Sequence, residues 1–257
     1  MSNPPSPLRI GGVPYQVGAL LLTGLDEIPE VSLRRVAPRL LAGELRDGVV
    51  EAALVSSVEA FRTPGYTAIS DLGIACEGPV RSVRLFLRCE PHKVRSVAFD
   101  SGSATSVALT TILLRARYGA DLAETRTIEP TLQPDAIDSD AVLLIGDAGT
   151  KANPGRRRVL DLGEEWYAWK RLPFVFALWL LRADQPRLGR IIGHLHRAWQ
   201  RGKLAGVGDG TGGSIQYELR EAHLDGLAEF RAEAQDLGLC EPGVEPGWTG
   251  LTGARRA

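Results

Sequence analysis

The sequence predicts an α/β fold in which two lobes are joined by a hinge. Short strand-like runs alternate with short helix-like runs along the 257 residues, a pattern typical of sheets flanked by helices. The alternation starts afresh after Glu90-Pro91, and the apolar run 174–182 predicts a strand that returns to the first lobe. The expected organisation is a first lobe of residues 8–91 and 173–240, an inserted second lobe of residues 92–172, and flexible tails at 1–7 and 241–257.

The strands are predicted from apolar runs bounded by turn residues. In the first lobe these runs are 8–13, 31–33 and 52–55. Residues 81–88 alternate apolar with polar side chains, as a half-buried strand does. In the second lobe the runs are 94–99 and 141–145. Polar loops follow several of these strands, at the sheet edge where open α/β folds bind their ligands.

The helices are predicted from apolar residues at helical spacing. The expected helices are 17–25, 38–45, 103–118, 187–204 and 214–237. The glycine-rich stretch 206–213 follows a helix and lacks the Gly-Lys-Ser/Thr ending of a phosphate-binding loop. It is therefore interpreted as a linker between the last two helices.

Bulk composition excludes several classes of function. A net charge of −1 gives no global field to attract nucleic acid or an anionic membrane. The longest apolar run, 174–181, is too short to cross a bilayer, and the first seven residues lack the apolar core of a secretion signal. Three cysteines without CxxC spacing suit a reducing compartment. We expect a cytoplasmic protein whose oligomeric state the sequence leaves open.

The loop 101–106 is the first candidate binding element, because it opens a helix. Unpaired N–H groups and the helix dipole favour an anion at such a position. Ser103, Ala104, Thr105 and Ser106 are therefore candidate substrate-binding residues. Simple capping of the helix by Ser101 or Ser103 is the alternative.

The turn 78–82 is the second candidate, because it delivers a hydroxyl into a strand. Neighbouring residues of a strand face opposite sides, so we expect Ser82 to point into the cleft and Arg81 to be structural or to border the site. The alternative is an ordinary turn. Polar groups at other strand ends complete the candidate binding set: Ser56, Ser57, Gly78 and Asp147.

Other chemistry receives little support from the sequence. His194 and His196 are two residues apart on a predicted helix and face different directions, so a metal site is not expected. Ser56-Ser57 lacks the flanking glycines of a nucleophile elbow. The aromatic residues between 166 and 179 are interpreted as core, with stacking on an unsaturated ligand as the alternative and Phe176 as the best candidate to reach the cleft.

The motifs of the chain resemble those of the chorismate dehydratases of the futalosine route to menaquinone. The two most specific are Glu-Gly-Pro-Val-Arg-Ser at 77–82 and Leu-Gly-Glu-Glu-Trp at 162–166. Further similar segments are 51–59, 69–71, 98–109, 143–147 and 172–177. The resemblance covers residues 8 to 238.

This resemblance implies a two-lobed fold like that of the type II periplasmic binding proteins, each lobe a mixed sheet flanked by helices. It implies a cofactor-free elimination of water from chorismate, a dicarboxylate, to give 3-[(1-carboxyvinyl)oxy]benzoate, with Ser82 as the catalytic residue. No general base is evident in the motifs, so the substrate's own side-chain carboxylate is a candidate base.

The chain departs from the family pattern at one position. The family commonly has an aromatic-Leu-Asn sequence after the first strand, whereas this chain has Tyr15-Gln16-Val17. Val17 occupies the position of a substrate-contacting asparagine unless Gln16 substitutes for it. The alternatives to dehydratase activity are a non-catalytic cytoplasmic binding protein for a small cyclic carboxylate, and the sister 1,4-dihydroxy-6-naphthoate synthase.

Overall fold

The computed structural model describes residues 6–250. Its strands are β1 Leu8–Gly12, β2 Val31–Arg35, β3 Ala52–Ser56, β4 Tyr66–Cys76, β5 Val83–Leu87, β6 Ser96–Asp100, β7 Glu124–Ile128, β8 Ala141–Ile145, β9 Arg158–Asp161, β10 Phe174–Arg182, β11 Ile215–Glu218 and β12 Gly247–Thr249. Its helices are α1 Gln16–Leu22, α2 Pro38–Arg46, α3 Ala104–Ile112, α4 Gly146–Lys151, α5 Leu162–Lys170, α6 Leu188–Leu204 and α7 Glu221–Asp236.

The strands form two mixed sheets, one in each lobe. The first sheet has the order β11-β4-β10-β3-β1-β2, with β12 added alongside β4, and the second has the order β7-β6-β8-β5-β9. In the first sheet β1 runs parallel to β2 and β3, whereas β10 is antiparallel to β3 and β4. In the second, β6 is parallel to β7 and β8, and β5 is antiparallel to β8 and β9.

The boundary between the lobes differs from the one that the sequence predicts. Strand β5 pairs with β8 and β9, so it belongs to the second lobe, and the chain crosses between Cys76 and Val83 rather than at residue 92. The alternation within 81–88 identifies a strand but carries no information on which distant strands it pairs with. The predicted tail from 241 is also corrected, because β12 pairs with β4; residues 1–5 and 251–257 of the predicted tails lie outside the described residues.

Several elements differ from the sequence prediction in type or length or have no predicted counterpart. The predicted helix 214–237 is a short strand, β11, followed by α7. The 11-residue strand β4 has no predicted counterpart, although it is the central partner of β10, β11 and β12. Helix α3 is shorter than expected and continues as a π-turn over Leu113–Arg117. The strands β4 and β11 depend on pairing with distant segments, and periodicity within one segment does not indicate such pairing.

An aromatic cluster joins the two lobes. Trp166 on α5 of the second lobe is fully buried, with its ring 5.2 Å from Phe174 of β10 and 6.4 Å from Phe230 of α7. Phe174 in turn stacks edge-on against Phe176 at 4.7 Å. Edge-to-face packing of this kind favours one fixed arrangement of the rings. The cluster therefore holds the second lobe against the strand that leads back into the first.

Candidate active site

A cavity lies between the lobes, at the strand ends where the sequence places its polar loops. Hydroxyl-bearing residues of both lobes line it: Ser56 from the first, Ser82, Ser103 and Ser106 from the second, and Tyr15 at the start of α1. The rest of the wall is largely apolar and includes Val17, Ile74, Val83, Ile145 and Phe176. The cavity thus combines an apolar surface with hydroxyl donors on opposing sides.

Ser82 lies at the entrance of β5, and its hydroxyl is 3.5 Å from the carbonyl oxygen of Val80. The residue is buried and lines the cavity, whereas Arg81 is exposed and does not line it. The Arg81 guanidinium instead lies 3.4 Å from the Thr211 carbonyl oxygen. The two side chains therefore point in different directions, although Arg81 and Ser82 precede β5 and are not part of the strand.

The start of α3 combines helix capping with cavity lining. The Ser103 Oγ accepts hydrogen bonds from the Ser106 N–H at 3.2 Å and the Ser106 hydroxyl at 3.0 Å. Both serines also line the cavity. The first N–H groups of a helix have no partner within it, so Ala104 and Thr105 open α3 with N–H groups of this kind. The helix dipole adds partial positive charge at this end.

The carboxylate of Asp100 holds two cavity loops together from behind. It accepts hydrogen bonds from the Gly102 N–H at 2.8 Å and the Ile145 N–H at 3.2 Å. Both of these residues line the cavity, while Asp100 itself is fully buried and does not. Burial raises the pKa of Asp100, although both N–H groups act in the opposite direction.

Two of the predicted binding residues lie in the contact between the lobes instead of the cavity. Ser57 and Thr105 are completely buried, and their hydroxyl oxygens are 3.2 Å apart across the lobes. Ser57 also donates to the Val175 carbonyl oxygen at 2.7 Å, and Thr105 Oγ1 accepts from the Val58 N–H at 3.2 Å. These bonds satisfy the hydroxyl groups, so neither side chain faces a ligand.

Three further predicted residues do not line the cavity with a side chain. Asp147 is exposed and pairs with Lys151 at 2.6 Å on its own helix. Gly78 has a φ of 88° and provides the turn that leads to Ser82. Ala104 is half-buried at the first position of α3 and contributes its backbone only. None of the three is among the residues that line the cavity, although neighbours of each in the same loop are.

Val17, which the sequence analysis matched to the family asparagine, lines the cavity. The Tyr217 hydroxyl donates to the Val17 carbonyl oxygen at 2.8 Å and fixes the start of α1. Gln16 is exposed, and its amide donates to the Gly208 carbonyl oxygen at 3.1 Å. Gln16 is therefore directed away from the cavity and does not substitute for the asparagine.

The side chains that line the cavity carry no formal charge among residues 6–250. Tyr15 is the one titratable group on the wall within that range, and burial raises its pKa above the ordinary tyrosine value. Residues 6–250 contain no group of three or more His, Cys, Asp or Glu side chains placed to hold a metal ion. No helix within the described part of the chain is long and apolar enough to span a bilayer.

Sequence comparison identifies the family. The family model described as menaquinone biosynthesis matches residues 8–225. The chain belongs to this family. A curated relative, the chorismate dehydratase of Thermus thermophilus, is 33% identical over 218 residues, which cover 76% of this chain and 70% of the relative.

Solved structures confirm the predicted fold class for this member of the menaquinone biosynthesis family. The periplasmic aliphatic sulphonate binding protein of Escherichia coli matches with a TM-score of 0.59 at 16% identity, over 94% of this chain and 96% of that chain. The alkanesulfonate-binding protein of Xanthomonas axonopodis, bound to MOPS, matches with a TM-score of 0.60 at 16% identity, over 97% and 100%. At such identity the likeness shows the two-lobed binding-protein fold and nothing about ligands.

Two carboxylates that organise the site were not among the predicted site residues. Asp100 joins the cavity loops, and Asp161 caps α5 by accepting from the Gly163 and Glu164 N–H groups at 3.0 and 3.1 Å. The sequence signal for Asp161 is present, since Asp followed by Glu three residues later is a helix-start pattern. The pattern predicts the cap but not the second set of hydrogen bonds that Asp161 makes to the Ser82 turn.

Proposed function

We propose that this protein is a chorismate dehydratase, a hydro-lyase of menaquinone biosynthesis. In the proposed reaction the C–O bond of the ring hydroxyl and a neighbouring ring C–H bond break, water leaves, and the ring becomes aromatic. The observation that carries the proposal is the cavity that contains Ser82, in a chain 33% identical to an enzyme of that name. Three unpaired cysteines support a cytoplasmic location for the reaction.

The proposed binding mode uses hydrogen bonds and dipoles for the two carboxylates of chorismate. Ser103 and Ser106 at the start of α3 line one part of the cavity, and Ser56 lines it from the opposing lobe. Hydroxyl and N–H donors hold an anion without bringing a counter-charge into the cavity. Val17 and Phe176 provide the apolar surface against which the ring packs.

In the proposed mechanism Ser82 hydrogen-bonds the leaving hydroxyl or orients the carboxylate next to it. Its buried position keeps water from competing for that bond. No Asp, Glu, His or Lys side chain of residues 6–250 lines the cavity, so the proton acceptor we favour is the substrate's own side-chain carboxylate. Orientation then supplies most of the rate acceleration, because aromatisation already drives the step forward.

The deciding experiment is to incubate the purified protein with chorismate and to follow the aromatic product by absorbance and mass. Formation of the carboxyvinyloxybenzoate supports the proposal, and its absence at high protein concentration contradicts it. A chorismate analogue without the side-chain carboxylate tests the acceptor: it is expected to bind but not to eliminate water. Turnover of that analogue would exclude a substrate carboxylate as base.

A binding protein without catalysis is the second candidate, and the uncharged cavity wall with Val17 favours it. In that case chorismate or an aromatic acid raises the melting temperature without being converted. At a ligand concentration 100 times Kd the stabilisation is about 2.7 kcal/mol. Measuring melting temperature and product in the same samples separates the two candidates.

A further inference from the structure

The residue before Ser82 has an unusual backbone conformation. Arg81 has a φ of 64°, in the left-handed region that a non-glycine residue enters at a cost of about 1–2 kcal/mol. Within residues 6–250 the other non-glycine residue with positive φ is Arg171, which ends α5 in the ordinary manner of a helix C-terminus. Arg81 ends no helix, so its conformation needs another cause.

That cause is the carboxylate of Asp161. Its Oδ2 accepts a hydrogen bond from the Arg81 N–H at 2.6 Å, and its Oδ1 accepts one from the Val80 N–H at 2.9 Å. The same Oδ1 caps α5 through Gly163 and Glu164. One side chain therefore fixes two consecutive N–H groups of the turn relative to a helix of the same lobe.

The surroundings leave the turn little room to move. A Cβ atom at Gly163 would lie 2.5 Å from the Gly78 carbonyl oxygen and 3.1 Å from the Val80 nitrogen, so α5 packs directly on the turn. From the first lobe, the Ser214 hydroxyl donates to the Val80 carbonyl oxygen at 3.2 Å. Ser82 follows immediately, and its side chain enters the cavity.

We infer that Asp161 is a positioning residue for Ser82. Its Oδ2 holds Arg81 in the left-handed conformation, and that conformation directs the Ser82 hydroxyl to the reacting atoms. The expected loss of kcat rests on the proposed dehydratase function, whereas the expected displacement of Ser82 does not. Asp161 is outside the cavity wall and does not contact substrate in this arrangement.

The substitution Asp161→Asn isolates the bond to Arg81. An asparagine oxygen at the Oδ1 position still accepts from Val80 and caps α5, and Asn is as good a cap as Asp. Its amide nitrogen then meets the Arg81 N–H, and two donors cannot bond. We expect kcat to fall on the order of 10- to 100-fold with KM changed less than threefold, since small displacements of a reacting group are costly.

The matched control is Asp140→Asn in the same lobe. The Asp140 carboxylate also accepts from two consecutive N–H groups, Arg95 and Ser96, at 2.9 and 3.0 Å, but it lies away from the cavity. Both bonds go to Oδ2, so an asparagine oxygen at that position keeps them, and Asp140→Asn is expected to leave kcat unchanged. An equal loss of kcat in both variants, or none in Asp161→Asn, would overturn the inference.

A rescue experiment separates positioning from general destabilisation. Glycine adopts positive φ without steric cost, so Arg81→Gly added to Asp161→Asn is expected to recover at least threefold in kcat, measured against Arg81→Gly alone. No recovery would contradict the role assigned to the Arg81 conformation.

Crystal structures of the wild type and Asp161→Asn keep the test independent of turnover. We expect Arg81 to leave the left-handed region and the Ser82 hydroxyl to shift by about 1 Å or more. If wild type does not convert chorismate, the proposed function fails while this comparison still decides the inference. An unmoved Ser82 would refute the inference even in an active enzyme.

Discussion

The cavity between the lobes and the groove between α6 and α7 differ in where their charges lie. The groove is lined by charged or titratable side chains that include Asp71, His196, Arg231 and Glu245. These pair within the protein: His196 Nε2 is 3.1 Å from both Asp71 oxygens, and Arg231 bonds Glu245. Among the described residues the cavity wall has no charged side chain, Tyr15 is its one titratable group, and the carboxylates of Asp100 and Asp161 lie behind it.

The difference shows two uses of polar groups in one chain. In the groove Asp71 pairs with His196 and Arg231 pairs with Glu245, whereas the cavity wall has no charged side chain among residues 6–250. The carboxylates of Asp100 and Asp161 accept hydrogen bonds from backbone N–H groups of the loops around the cavity. The wall should therefore be sensitive to removal of a hydroxyl and to addition of a charge, while the groove should affect stability alone.

The largest expected effect is that of Ser82→Ala. Loss of one preorganised hydrogen-bond donor at a reacting centre costs about 10²- to 10³-fold in kcat. Chorismate turnover measures the loss, and the melting temperature should change little because the Ser82 hydroxyl makes only a 3.5 Å contact with Val80. Ser139→Ala, at a buried serine of the same lobe outside the cavity, is the control. Equal activity of both variants would remove Ser82 from the mechanism.

The next prediction concerns Ser103→Asp, which adds a charge to the uncharged cavity wall. Asp caps a helix as well as Ser, so α3 should remain intact. The new carboxylate would face a dianionic substrate, and at an effective dielectric constant of 20 two charges 4 Å apart interact by about 4 kcal/mol. We expect KM to rise on the order of 100-fold or more.

Ser103→Asn is the matched neutral variant of similar size and capping ability. It should change KM by less than about tenfold. If Asp and Asn have the same effect, shape rather than charge determines binding at this end of the cavity.

The sequence predicts the site only as far as the direction of each side chain follows from local periodicity. Residues three apart on a helix share a face, so Ser103 and Ser106 could be placed together and Thr105 apart from them. Likewise, Ser56 faces the cavity, while its neighbour Ser57 faces the other lobe. The sequence analysis assigned Ser57 and Thr105 to the ligand together with Ser56, Ser103 and Ser106, whereas the structure places Ser57 and Thr105 in the contact between the lobes.

Other features depend on pairing between distant segments. The membership of β5 in the second sheet follows from its partners β8 and β9, which lie far along the chain: Val83↔Ile145 are 62 residues apart and Arg84↔Asp161 are 77 apart. The contact of Asp161 with the Ser82 turn follows from that same pairing. Local patterns predict strands, caps and turns, but no local pattern specifies which carboxylate reaches which loop.

The contact between the lobes supplies the next prediction, Thr105→Val. Valine has nearly the same shape but leaves the Val58 N–H without its acceptor and Ser57 without one partner. A buried unsatisfied group costs about 1–3 kcal/mol, which urea unfolding will measure. Thr110→Val on the same helix is the control, because Thr110 donates only within α3 and should cost less. Equal losses would mean that the contact between the lobes adds nothing to stability.

The smallest expected effect is the pH dependence of stability from the Asp71–His196 pair in the groove. Burial alone would lower the pKa of His196, but hydrogen bonds to Asp71 and to the Ile192 carbonyl oxygen outweigh it and raise the pKa. Stabilisation by a group with a raised pKa is complete below about pH 6.5 and is lost as pH rises through the folded value. Unfolding free energies measured from pH 6 to 9 should fall, and His196→Gln should flatten that fall. His223→Gln should not, because burial lowers the pKa of His223 and its effect has the opposite sign.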